Sequence, residues 1–159
     1  MKTANQLQAS VGRMTYGIYA LTAAYEDVIN AMIASWVSQV SHDPYLIMVG
    51  IHPNRFSHHL IENSGRFALH VMAEHQIDLM RQFKLRDPNA KFSGLDWTPG
   101  KTGCPILADC ICFMECEVTQ RLMPGNHTLF IGNVVNAGVN ADKTPLSTLD
   151  YSGVYVGDT

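Results

Sequence analysis

The sequence predicts a mainly β fold: a small antiparallel barrel with short helices on its periphery. Three observations lead there. Apolar, β-compatible runs bounded by turn residues recur along the chain, about six or seven in all. Successive runs are joined by short connections of the hairpin kind, which pair strands antiparallel. Only two segments have helical spacing, and both are short.

Residues 17–25 (GIYALTAAY) form the first β-compatible run, Glu26-Asp27 a turn, and residues 28–35 the returning strand. Residues 45–51 (YLIMVGI) are continuously apolar, which predicts a strand buried on both faces, with Pro44 and Pro53 at its ends where proline is tolerated. A helix is predicted over 54–63, with Asn54 as N-cap, Phe56, Leu60 and Ile61 at helical spacing, and Gly65 as the stop. Residues 66–73 alternate as a strand. A second short helix covers 76–84, with Ile77, Met80 and Phe83 on one stripe. The polar stretch 84–103, with Pro88, Gly94, Pro99 and Gly100, reads as a long connection of the kind that is usually functional. Residues 106–122 predict one long, bent strand, Pro124-Gly125-Asn126 its turn, and 127–139 its hairpin partner. The tail, 149–156, is a candidate edge strand or dimer contact.

At 159 residues, 47% hydrophobic, with no linker or repeat, the chain reads as one domain over 1–159. A net charge of −3 without a Lys/Arg cluster argues against a nucleic-acid partner, which needs a basic face. No run approaches the roughly 20 apolar residues of a membrane span, and residues 1–13 lack signal-peptide character, so a cytoplasmic location is expected. Cys104, Cys110, Cys112 and Cys116 form no C-x-x-C pair. Cys110, Cys112 and Cys116 share strand parity with Met114 and Val118, opposite Glu115 and Glu117, so buried reduced thiols are expected. The seven histidines show no metal-binding spacing. Neither a Gly-rich dinucleotide or P-loop motif nor a nucleophile elbow is present.

Chemistry concentrates in residues 28–57. Asn30, Ser35, Trp36, Ser38, Gln39 and Ser41 crowd one segment, the apolar run 45–51 follows, and Arg55 and Ser57 stand at a helix start. A polar loop followed by a cation and a hydroxyl at a helix mouth suits a flat polar ring ending in a phosphate, the shape of a flavin mononucleotide. Residue types alone also allow ordinary serine turn chemistry over 35–44 and a solvated first turn at Arg55 and Ser57. Trp36 could stack on such a ring or pack as an ordinary aromatic. His70, mid-strand, reads as structural. Phe83 and Phe92 are candidate shields over the ring as well as core residues.

The pattern Asn30, Ala34-Ser35-Trp36, Ser38-Gln39-Val40-Ser41, Asp43-Pro44 resembles the flavin reductase-like, FMN-binding split-barrel family. Further matches are Gly65-Arg66-Phe67-Ala68-Leu69-His70-Val71, residues 76–83, Lys91-Phe92-Ser93-Gly94, and Gly125-Asn126-His127 through Gly132-Asn133-Val134, so the likeness runs over about 11–155. It implies an FMN-binding split β-barrel with short peripheral helices, one FMN per subunit of a homodimer, and hydride transfer from NAD(P)H through flavin to an acceptor. FMN is expected over FAD because no adenine-binding signature is visible. The cofactor-binding residues it implies are Asn30, Ile33, Ala34, Ser35, Trp36, Ser38, Gln39, Val40, Ser41, Pro44, His52, Arg55, Phe56, Ser57 and Phe83, with backbone N–H groups of loop 35–44 cradling the ring edge. His127 is placed near flavin and nicotinamide, in a turn where relatives carry Gly-Asp-His and this chain carries Asn126. The wording around Trp36 is similar to the modules attached to rubredoxin or to flavodiiron proteins. An electron carrier to such a partner is therefore an alternative to a reductase, and a non-catalytic flavin binder is another.

Overall fold

The computed structural model describes residues 2–151 and Tyr155, with side chains from residue 5. A seven-stranded antiparallel sheet runs in the order β2-β1-β5-β8-β9-β4-β3. Its strands are β1 (Tyr19–Tyr25), β2 (Val28–Ala34), β3 (Val37–His42), β4 (Tyr45–Ile51), β5 (Arg66–Val71), β8 (Cys112–Leu122) and β9 (Thr128–Val139). The two edge strands, β2 and β3, are consecutive in sequence, joined only by Ser35 and Trp36. A sheet whose opposite edges are tied by two residues must curl on itself. Because β2 and β3 do not pair, the barrel stays split along that seam. Gly50 N–H donates to Trp36 O (2.8 Å), which pins the link against β4.

α2 (Phe56–Ser64) closes one side of the barrel: Ser57, Leu60 and Ile61 share a face at i, i+3, i+4 and are fully buried against β1 and β2. It ends at Gly65 in the left-handed region (φ 68°), whose N–H returns to Ile61 O (2.8 Å). The N-cap position is Arg55 rather than the expected Asn54, and no side chain caps the helix; Asn54 N–H instead donates to His52 Nδ1 (3.2 Å). One core fills the barrel, built on Leu21, Val49, Ile51, Leu60, Phe67, Leu69 and Phe130. A second lies outside β1 and β2, where Ile18, Ala20, Ala31 and Met72 meet Met80 and Phe83 of α3 (Leu79–Phe83) and Phe92 of α4 (Pro88–Phe92). β1 is therefore the doubly buried strand. β4, read as buried on both faces, buries Ile47, Val49 and Ile51 and leaves Leu46, Met48 and Gly50 half-covered.

Further differences from the sequence reading are local. Residues 37–42, expected as loop, form edge strand β3, since a strand covered on neither face accepts V-S-Q-V-S-H. The 106–122 run splits into β7 (Pro105–Leu107), paired with β6 (Trp97–Pro99), and β8, which is bent by two register shifts against β9. The 84–103 stretch thus contains α4 and β6. Residues 2–11 form α1 (Lys2–Val11), whose mixed polar sequence offers no apolar period to read. Residues 149–151 form no strand, and 152–154 and 156 of the proposed tail strand lie outside the described residues.

The cysteines are free, and Cys104, Cys110 and Cys116 are buried; burial pushes the Cys116 thiol up to about 12 and Cys110 up to about 11. His70 is buried as a bridge, bonded through Nδ1 to Ala20 O (3.2 Å) and accepting the Leu107 N–H at Nε2 (3.1 Å). Desolvation holds it neutral, at about 4. Glu115, on the strand face expected to be polar, is fully buried. It accepts from Thr102 N–H (2.8 Å) and hydroxyl (2.6 Å), Lys101 N–H (3.2 Å) and Asn136 Nδ2 (2.6 Å). Burial alone would raise this carboxyl, but the donors outweigh it and hold it below its ordinary value.

Candidate functional site

A cavity of about 770 Å³ opens at the split, beside the Ser35-Trp36 link and between β2 and the end of β4, a size typical of small-molecule clefts. The seam supplies Asn30, Met32, Ile33, Ala34, Ser35 and Trp36. The end of β4 and the turn after it add Gly50, Ile51, His52 and Asn54, and the mouth of α2 adds Arg55, Phe56 and Ser57. Met80, Phe83, Lys84, Leu85 and Arg86 come from α3 and the turn beyond it, Lys91 from α4, His127 from the turn before β9, and Thr148, Tyr151 and Tyr155 from the C-terminal segment.

The charge of this lining is one-sided. Arg55, Lys84, Arg86 and Lys91 line it, and no Asp or Glu does among the described residues, although the chain as a whole is net negative. Such a site selects an anion.

A buried polar chain organises one end. Lys91 is 7% exposed; its Nζ donates to Asn30 Oδ1 (2.9 Å) and Ala31 O (2.8 Å). Asn30 Nδ2 donates onward to the Ser57 hydroxyl oxygen (2.8 Å). An ammonium has three N–H donors, so one stays free of these two partners. A hydroxyl that already accepts keeps its own proton to donate. Burial, then the neighbouring Arg55 guanidinium, push the Lys91 ammonium down from its ordinary value, which places Arg55 and Lys91 in one field. The N–H groups of Phe56 and Ser57 stand at the open end of α2, since His58 N–H is the first to turn back, onto Arg55 O (3.0 Å). Two cations, a hydroxyl proton and a helix start converge there, the donor set of a phosphate subsite.

Aromatic rings gather at the other side of the seam. Trp36 packs on His127 (centroids 4.5 Å) and Tyr155 (5.1 Å), and His52 meets His127 edge-on (5.1 Å). Trp36 Nε1 is buried with no hydrogen-bond partner among the described residues, an orphan donor beside an open cavity. His127 contacts Asn126 Oδ1 through Nδ1 (2.8 Å) and the Tyr155 hydroxyl through Nε2 (2.9 Å). Burial first, then His52 and Arg55, lower its tendency to protonate.

The structure thus brings together Asn30, Ile33, Ala34, Ser35, Trp36, His52, Arg55, Phe56, Ser57, Phe83 and His127 around one space. It places Ser38, Gln39, Val40, Ser41 and Pro44 outside this cavity, on edge strand β3 and the β3–β4 turn, where Ser38, Gln39, Val40 and Pro44 are exposed. Residues 37–42 of the expected cradle loop are strand instead, hydrogen-bonded to β4 along one edge and open along the other. Phe92 packs on Trp97 (5.5 Å) in the outer core. Sequence reasoning did not single out Lys91, Lys84, Arg86, Tyr151 or Tyr155 as site residues. Lys91 lies in the Lys91-Phe92-Ser93-Gly94 motif, the one available signal; the others are ordinary loop residues until the fold gathers them.

Comparison with known proteins agrees with this architecture. The chain is 34% identical over 139 residues to diflavin flavoprotein A 1 of Synechocystis, covering 85% of this chain and 24% of that protein. It is 32% identical over 150 residues to the high molecular weight rubredoxin of Moorella thermoacetica, covering 92% and 66%. It therefore spans about a quarter of the flavoprotein and about two thirds of the rubredoxin. Among solved structures, an FMN-binding protein from Thermus thermophilus superposes with a TM-score of 0.74 at 27% identity, over 80% of this chain and 72% of that one. The flavin reductase like domain matches residues 11–157. A match of that extent, on a split barrel with an anion-selective cleft in its seam, establishes that this chain belongs to the flavin reductase like domain family, whose chemistry is flavin-related oxidoreduction.

Proposed function

We propose that the seam cavity holds FMN and that the protein is an NAD(P)H-dependent flavin oxidoreductase, acting as one domain over residues 1–159. The observation that carries this reading is the pairing, in one carboxylate-free cleft, of a phosphate-type donor set (Arg55, Ser57, Lys91 and the start of α2) with an aromatic seam whose Trp36 N–H lacks a partner. An orphan buried donor and a hydroxyl with a free proton are what a bound polar ring with a phosphate tail would satisfy. Arg55 and Lys91 would hold the phosphate charge, Ser57 would donate its hydroxyl proton to it, and Asn30 would keep both Lys91 and Ser57 oriented. Trp36, His127 and the apolar Ile33, Ala34 and Phe83 would flank the ring and exclude water. The flavin, when bound, supplies the hydride and electron transfer between nicotinamide and acceptor; the protein binds, orients and sets the local field. His127, neutral and bonded on both ring nitrogens, would act as a fixed wall beside the ring.

The edge strand β3, with Val40 exposed on it and Tyr45 exposed at the start of β4, supports a homodimer that covers this face. The relatives' composition favours a second reading of the outlet: matching regions are segments of longer proteins named as rubredoxin and diflavin flavoprotein, so a redox protein of that kind is the proposed electron acceptor. Free cysteines fit the reducing cytoplasm. No helix among the described residues is long and apolar enough to cross a membrane.

The test is the visible spectrum of the FMN-loaded protein under anaerobic conditions, before and after NADH and then NADPH. Bleaching by either nucleotide is the expected result. Bleaching by dithionite alone would replace the reductase with a carrier fed by a partner, and failure to bind FMN at all would remove the reading.

A further inference from the structure

A ridge of positive charge runs along the end of α3. Arg81 and Lys84 lie three residues apart, a spacing that puts them on one side of the helix, and Arg86 follows in the turn beyond; all three are exposed. Lys84 and Arg86 line the seam cavity, and Arg81 does not. The ridge therefore continues from the rim of the cavity onto the outer surface. None of the three makes an ion pair among the described residues. The carboxylates nearest in sequence are turned elsewhere. Asp78 lines a separate groove with Leu79 and Leu95, and Asp87 caps α4 by accepting Asn89 N–H (3.0 Å). Asp150 accepts the Ser147 N–H (3.0 Å) and hydroxyl (3.1 Å). Its neighbour Tyr151 steadies the ridge: Lys84 Nζ donates to the Tyr151 hydroxyl (3.2 Å) and lies over its ring (5.4 Å). Between Lys84 and Arg86 sits Leu85, 48% exposed. A ligand inside the cavity meets Arg55, Lys91 and the start of α2, and gives Arg81 nothing to bind. A protein face broad enough to span Arg81, Leu85 and Arg86 uses all of them.

We infer that Arg81, Lys84, Leu85 and Arg86 form a docking face, beside the cavity mouth, for the acidic surface of a partner protein. An apolar side chain among charges that face solvent unpaired is the anatomy of a protein contact, with an apolar centre and a polar rim. On a chain whose net charge is −3, a local positive ridge orients an acidic partner, while repulsion from the rest of the surface disfavours other encounters. That this partner accepts electrons rests on the acceptor reading given above. Two dockings then empty one reduced flavin: each partner's one-electron centre takes one electron, and two protons pass to water.

The probe is an oxidised rubredoxin of net negative charge, titrated calorimetrically into the FMN-loaded chain at about 0.01 M and about 0.15 M salt, where charges are screened over about 30 Å and 8 Å. Wild type is expected to bind, more weakly at the higher salt. Arg81→Glu should lose about tenfold in affinity at low salt and less at high salt, while its FMN affinity and its bleaching by nucleotide stay as in wild type. Lys84→Glu/Arg86→Glu should lose about a hundredfold at low salt, and Leu85→Ser about fivefold at both salts. All these positions are exposed, so each variant should fold. No binding by wild type, binding that none of the substitutions changes, or equally tight binding of a short DNA duplex would overturn the docking face. So would a fall in FMN affinity of Arg81→Glu that matches its loss of the probe. If wild type binds as expected but, once reduced, leaves the probe's iron oxidised, the acceptor reading fails and the docking face stands.

Discussion

Lys91→Met removes the ammonium at the centre of the buried polar chain while keeping a flexible apolar stem. In the ligand-free protein, Asn30 Oδ1 and Ala31 O each lose a donor. Both had been bonded by a charge, an interaction worth about 1.5–3 kcal/mol apiece when a partner is left unmet. Two effects reduce that loss. Asn30, one of the two abandoned acceptors, borders a cavity of about 770 Å³ that water can enter. The protein also no longer confines a desolvated ammonium next to Arg55, the strain that depresses Lys91. The net cost to the apo protein is therefore about 1–2 kcal/mol, a fall of a few degrees in Tm. With FMN present the variant loses a direct charge on the phosphate as well, about 1.5–3 kcal/mol, or roughly tenfold to a hundredfold in Kd. Fluorescence titration of FMN measures the second number, and thermal melts with and without FMN measure both together. Ligand-induced stabilisation should shrink more than apo stability does. An FMN affinity within twofold of wild type, in a variant that melts cooperatively, would refute the phosphate role, and Asn30 and Ser57 would then be ordinary packing polars.

Arg55→Ala should weaken FMN binding by about tenfold to a hundredfold and flatten its salt dependence, with apo stability nearly unchanged because Arg55 is exposed; isothermal titration at two salt concentrations checks this. The fold should soften in acid through His70. The unfolded chain protonates this residue near 6.5 and the folded chain near about 4, so the unfolded state holds more protons between those values. Stability present above about 6.5 is therefore lost as pH falls through that window, reaching about 3 kcal/mol near pH 4; urea midpoints across pH 4–7 measure it, and a flat profile from this site, taken against a His70→Gln control, would contradict it. Glu115→Gln puts an amide N–H₂ against two donors whichever way it turns, and should cost about 3 kcal/mol or more in urea unfolding. Because Glu115 lies outside the cavity lining, FMN affinity of the folded variant should stay as in wild type.

Periodicity alone located most strands, because a side chain's face on a strand follows from its parity. It also located α2, whose Leu60, Ile61 and Gly65 carry a local signal. It failed where partners rather than residues decide. The run 37–42 has too little apolar character to announce a strand, yet hydrogen bonding to β4 makes it an edge strand, with Ser38, Gln39, Val40 and Ser41 outside the cavity lining. Glu115 alternates as a solvent-facing residue should. It is buried because the segment carrying Lys101 and Thr102 folds over it and brings its own donors.

The site divides the same way. Asn30, Trp36, Arg55 and Ser57 were legible because they lie within one stretch of chain whose residue types, read with the family likeness, suit a phosphate-tailed ring. Lys91, Lys84, Arg86 and Tyr151 are far from that stretch, and nothing in their local sequence separates them from solvated loop residues. Only the curl of the sheet, with its edges tied through Ser35 and Trp36 and α3 and α4 packed outside β2, brings them to the same cavity. The sequence by itself determined the β class, the place of α2 and the family. Tertiary structure decided which cations face one another across empty space, because their shared field depends on distances that close only when the barrel does.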